Sequence, residues 1–138
     1  MEQVADDSGV VRTLRVQGAY YLLSGLTPLV AYRAFVWVTG PKRDDWLVKT
    51  FGLVVAGFGA ALLRRPSPEV ASQAATVAAA IGLAEAWYVL RGRIRTVYLA
   101  DAVMEGILAA RLAAFSRSSR RAAGHERPLA PTPPDRRA

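Results

Sequence analysis

Apolar and polar positions fall along this chain in long blocks, without the two-residue alternation of a half-buried strand. Four nearly uncharged runs stand out: residues 14–37, containing "VQGAYYLLSGLTPLVAY"; 46–63, "WLVKTFGLVVAGFGAALL"; 70–90, "VASQAATVAAAIGLAEAWYVL"; and 96–115, beginning "TVYLADAVMEGILAARL". Each matches the length that a hydrocarbon core of about 30 Å demands of a helix. None shows the continuous charged face of a soluble amphipathic helix. The links between them are short. In "TGPKRDD", Gly40 and Pro41 stop one helix and Asp44 or Asp45 can cap the next; "RRPSPE" and "RGRIR" form the other two.

This pattern predicts an all-α fold, an integral membrane four-helix antiparallel bundle over residues 13–115. A flexible N-terminal tail, 1–12, precedes it. A basic, Pro-rich tail, 116–138, follows and is expected to be disordered, since its Pro, Ser and Arg content cannot bury a core. The third run is so rich in alanine that its insertion is marginal by itself. A soluble or peripheral Ala-rich bundle is therefore the competing reading.

Composition sharpens the picture. Hydrophobic side chains make up 52% of the chain and charged ones 21%, with a formal net charge of +7, so the two classes are segregated. Without cysteine there is no disulfide scaffold, thiolate metal site or cysteine nucleophile. His125, the single histidine, sits in the Arg- and Pro-rich tail, where no triad or metal cage could be assembled around it. No glycine-rich phosphate cradle follows a strand. The sequence therefore assigns no catalytic, cofactor-binding or metal-ligating residue.

The bases lie at the edges of apolar runs instead of in a stripe with aromatic residues between them, which argues against nucleic acid. The expected partner is the lipid bilayer, with anionic lipid at the C-terminal tail through Arg117, Arg120, Arg121, Arg136 and Arg137. Stripes of small residues also suit a homo-oligomer or a larger membrane complex. Arg12, Arg15, Arg64, Arg65, Arg117, Arg120 and Arg121 flank one side, against Lys42, Arg43, Arg91, Arg93 and Arg95 on the other. That bias favours both termini in the cytoplasm.

Charges inside the runs carry the functional question. In an up-down-up-down path Arg33, Lys49, Glu85, Asp101 and Glu105 all fall in one leaflet. Charges at that depth cost roughly 2.5–3.5 kcal/mol each near the centre, so they are expected to face inward and pair. Beside them run small residues suited to close helix packing: Gly52, Ala56 and Ala60; Gly82; and Ala102, Gly106 and Ala110. Three acids against two bases leave one carboxylate without a partner. The first reading is a structural or accessory subunit whose helix register is fixed by an ion-paired cluster. The alternative is a small proton- or cation-coupled transporter that uses the carboxylates. Pro28, which cannot donate to the Ser24 carbonyl, is expected to kink the first helix between those residues.

The stretches "QGAYYLLSGLTPLVAYRAF", "TGPKRDDWLVKTFGLVVAG" and "VYLADAVMEGIL" resemble small bacterial four-helix integral membrane proteins of the DoxX-like group. The likeness covers about residues 16–112 and rests on segment lengths and on the "TGPKRDDWLV" turn. It implies the four-helix architecture and the bacterial inner membrane, and it transfers no catalytic residues.

Overall fold

A computed structural model describes the backbone of residues 2–125 and the side chains of residues 7–118. It is all-helical, with no strand among the described residues. Helix α1 spans Glu2–Val30, α2 Tyr32–Thr39, α3 Asp45–Arg64, α4 Ala71–Leu90 and α5 Tyr98–His125, with a 3-10 turn at Pro68–Val70 leading into α4.

The helices pack as two antiparallel pairs. In the first, α1 lies along α3 with the backbones almost in contact. A Cβ built on Gly25 would come within 2.5 Å of the Gly52 carbonyl oxygen, and one on Gly59 within 2.6 Å of the Gly18 carbonyl oxygen. The two contacts are two helical turns apart on both helices, so the glycines act as paired grooves that let the two backbones approach closely. The second pair joins α4 to α5, and there Gly82 leaves room for Glu105, whose Cβ would lie 2.9 Å from a Cβ at position 82.

One apolar cluster unites the pairs at one end of the molecule. Val10 and Leu14 of α1, Leu62 of α3, Ala71, Ala74 and Ala75 of α4, and Leu112 and Phe115 of α5 are all buried in it. The cluster explains two departures from the expected tails. Because Val10 and Leu14 are core residues, α1 continues back through the segment expected to be flexible. Similarly, Leu112 and Phe115 anchor α5, which runs on to His125; residues 126–138 of the expected disordered tail lie outside the described residues.

Two helices, Asp45–Arg64 and Pro68–Leu90, are long and apolar enough to cross a membrane. A third span would be the broken pair Asp7–Val30 and Tyr32–Thr39, whose axes differ by 106°. The fourth expected span, in α5, does not reach that standard, because Asp101, Glu105, Arg111 and Arg117 interrupt it. Leu53 and Val54 on α3, Leu83 on α4 and Val103 on α5 point outward and are exposed, an apolar exterior compatible with lipid.

A sharp break follows shortly after Pro28. Helix α1 runs through Pro28 and the chain turns at Ala31, with φ −135° and ψ 47°. The Pro28 ring rests against Gly52, its Cγ 2.7 Å from where a Cβ there would stand. That contact seats the last turn of α1 on α3 just before the break.

The packing stripe on α3 uses Gly52, Ala56 and Gly59, all buried, while Ala60 is half-buried. On α5 the half-buried Ala102 has its backbone against Gly82, while Gly106 and Ala110 are exposed, so the packing does not continue along the stripe. The helix turns Glu105, Leu108, Leu112 and Phe115 inward instead. Burying leucine and phenylalanine removes more apolar area than burying glycine and alanine, which favours that rotation.

Gly25→Ala and Gly59→Ala are each expected to destabilise the protein by about 1–3 kcal/mol, the usual cost of overpacking a close contact. Gly57→Ala and Gly106→Ala, whose Cβ positions have nothing within 4 Å, should be neutral or mildly stabilising. Thermal unfolding of the four variants in one detergent checks the contrast.

Candidate functional site

Polar groups inside this fold gather along one line, where α1 faces α4 and α5. Helix α1 presents Gln17, Tyr20, Tyr21 and Ser24 at the i, i+3, i+4, i+7 spacing of one face. Gln17 Nε2 donates to the Ala74 carbonyl of α4 at 3.0 Å. Tyr21 donates its hydroxyl to Glu105 Oε2 of α5 at 2.7 Å, and Tyr20 donates to Asp101 Oδ1 one turn away. Asp101 and Glu105 are neighbours at i, i+4 on one face of α5, and two consecutive tyrosines of α1 reach one each.

The carboxylates therefore meet hydroxyls where the sequence predicted bases. Glu105 is 2% exposed and Tyr21 1%, so this is a bond between fully buried partners. A carboxylate taken out of water requires donors, and a hydroxyl supplies one without the cost of burying a second charge.

Beside this bond, between the two helix pairs, lies a partly open cavity of about 590 Å³. Tyr21, Glu105 and Asp101 line it, and Glu85 of α4 joins them. Most of the remaining wall is apolar, with Phe51 and Val55 from α3 and Ile81 from α4. Glu85 Oε2 is buried and has no hydrogen-bond partner among the described residues. Three carboxylates from two helices thus face one largely apolar space.

The two bases of the expected cluster are not with them. Lys49 pairs with Asp45 at 2.9 Å, one turn back on its own helix, and stands 4.9 Å over the Tyr32 ring centroid. A partner at i, i+4 needs no tertiary alignment, and the local pair wins. Arg33 lies beyond the break at Ala31 and is exposed.

The basic turn before α5 does not reach the acids either. Arg95 Nη1 donates to the carbonyls of Trp37 and Val38 at 3.0 and 3.2 Å, at the end of α2. Arg91 lies over the Trp87 ring at 4.3 Å. Lys42 lines the cavity mouth, where Nζ donates to Thr39 O and to the Tyr98 hydroxyl, both at 3.2 Å. These cations tie the turns at this end to each other.

Sequence reasoning passed over Gln17, Tyr20 and Tyr21. The available signal was four polar residues on one face in the middle of an apolar run, away from the ends where interfacial tyrosines usually sit. Among the described residues no group of three or more His, Cys, Asp and Glu side chains is arranged to hold a metal ion. No family model, curated protein or solved structure matches the chain.

Tyr21→Phe should cost about 1–3 kcal/mol by leaving a buried acceptor unsatisfied. Tyr21→Phe combined with Glu105→Leu should recover most of that loss, because both polar partners are then removed. A double-mutant cycle measured by unfolding in detergent tests the coupling.

Proposed function

We propose that this chain is a small polytopic membrane protein that takes up protons or small cations at the carboxylates of its interhelical cavity, as a coupled carrier without substrate chemistry of its own. The observation that carries this reading is Glu85 Oε2, buried and without a hydrogen-bond partner among the described residues, beside a 590 Å³ space that Asp101 and Glu105 also line. Acidic side chains inside a membrane protein are costly, and those that face a cavity commonly mark an ion or proton path. The absence of an ion-paired base on any of the three, among the described residues, supports exchange over permanent neutralisation. The resemblance to DoxX-like proteins supports placement in a bacterial inner membrane. The excess of arginine beside the chain ends supports termini in the cytoplasm.

A second reading is favoured by the Tyr20–Asp101 and Tyr21–Glu105 bonds. In it the chain is an accessory subunit, and the acids serve only to dock α5 on α1. The two readings separate at Glu85, which makes no such bond.

Protein reconstituted into vesicles with an imposed pH gradient is expected to dissipate it, followed by an entrapped pH-sensitive dye. Glu85→Gln should lose most of that flux and retain normal unfolding behaviour, whereas Glu69→Gln, at an exposed position of the 3-10 turn, should behave as the parent. Equal rates for all three proteins and for empty vesicles would leave the accessory reading standing.

A further inference from the structure

A second cavity, of about 520 Å³, lies at the turn end of the molecule, between the link that follows α2 and the link that precedes α5. Its chemistry is the reverse of the first. Lys42, Arg43, Arg93 and Arg95 line it against a single carboxylate, Asp44. None of the four is ion-paired, since the one salt bridge among the described residues is Lys49–Asp45.

Two of these cations are fixed in place. Lys42 is held by Thr39 O and Tyr98, and Arg95 by the carbonyls of Trp37 and Val38. Arginine carries five N–H donors, and Arg95 spends only Nη1 on these carbonyls. Arg43 and Arg93 are exposed on opposite links of the cavity. The start of α3 borders the same space without a side-chain capping bond from Asp44, so the helix adds its own positive end.

The two cavities adjoin, and Lys42, Leu47, Val48 and Ile94 line both. A basic chamber therefore opens onto an apolar one. Exposed Trp37, Trp46 and Trp87 surround this end, the side chains that settle at the level of lipid headgroups.

We infer that the turn end binds an anionic phospholipid, its phosphate held by Arg43, Arg93, Arg95 and Lys42 and an acyl chain entering along Leu47, Val48 and Ile94. Charge complementarity selects the headgroup and the shared apolar lip selects a lipid over a free anion. This site goes beyond the carrier reading and does not depend on it, because Glu85, Asp101 and Glu105 play no part in holding the phosphate.

The test uses the full chain in detergent, with thermal stability followed as phosphatidylglycerol, phosphatidylcholine or inorganic phosphate is titrated in. Stabilisation by phosphatidylglycerol at concentrations where phosphatidylcholine has no effect is expected. Arg43→Gln with Arg93→Gln, two side chains that make no contact the fold requires, should weaken that response by roughly tenfold or more, since each surface cation contributes about 1 kcal/mol toward anionic lipid. Equal stabilisation by phosphatidylcholine would overturn the assignment. So would an undiminished response in the double variant, and inorganic phosphate as effective as the lipid would replace it with a free-anion site. Glu85→Gln should respond to phosphatidylglycerol as the parent does, which keeps this outcome separate from failure of the carrier reading.

Discussion

A carboxylate buried to 2% exposure in the middle of an apolar helix must be met by a donor, and in this protein the donor is a hydroxyl from the first helix. The position of α5 follows from that bond. With Glu105 turned toward Tyr21, the neighbouring Asp101 reaches Tyr20, Leu112 and Phe115 fall into the core, and Gly106 and Ala110 are carried to the outside. Helix α1 serves as the common wall of the molecule. One face meets α3 through glycine backbone, and another reaches α4 and α5 through Gln17 and the tyrosine pair.

Four cations take partners other than the buried carboxylates: Lys49 a carboxylate one turn away, Arg91 the ring of Trp87, Arg95 and Lys42 the carbonyls that end a short helix. Carbonyls at a helix C-terminus lack intrahelical donors and carry partial negative charge, so a guanidinium there is well placed. What remains for the carboxylates is the hydroxyl set of α1. The result separates an acidic interior from a basic rim across a few shared apolar residues.

Much of the helical layout was legible from block length and from the glycines, prolines and charges in the links. The hydropathy pattern located α3 and α4 closely, because both are uniform runs with clear stops. It shortened α1 and α5, since their outer turns are polar in composition and are helical here around Val10, Leu14 and Phe115, buried at contacts between distant parts of the chain. Depth along a helix can be counted from its ends, and Glu85, Asp101 and Glu105 do line one cavity. Azimuth is harder to read. Lys49 lies on the same helix as Gly52 yet bends to Asp45, and the turn at Ala31 removes Arg33 from the path that a straight helix would give it. The tyrosines were hidden by their ambiguity, being as apolar as they are polar until a partner is known.

The apolar core described above lies at one end, joining the start of α1 and the end of α3 to the start of α4 and the latter part of α5. Toward the other end the links are tied by Lys42 and Arg95 on backbone oxygens and by Lys42 on the Tyr98 hydroxyl. Apolar cohesion between the two helix pairs is thus concentrated away from both cavities, and beside the larger one the pairs are joined by polar bonds, those of Tyr20 and Tyr21 to Asp101 and Glu105.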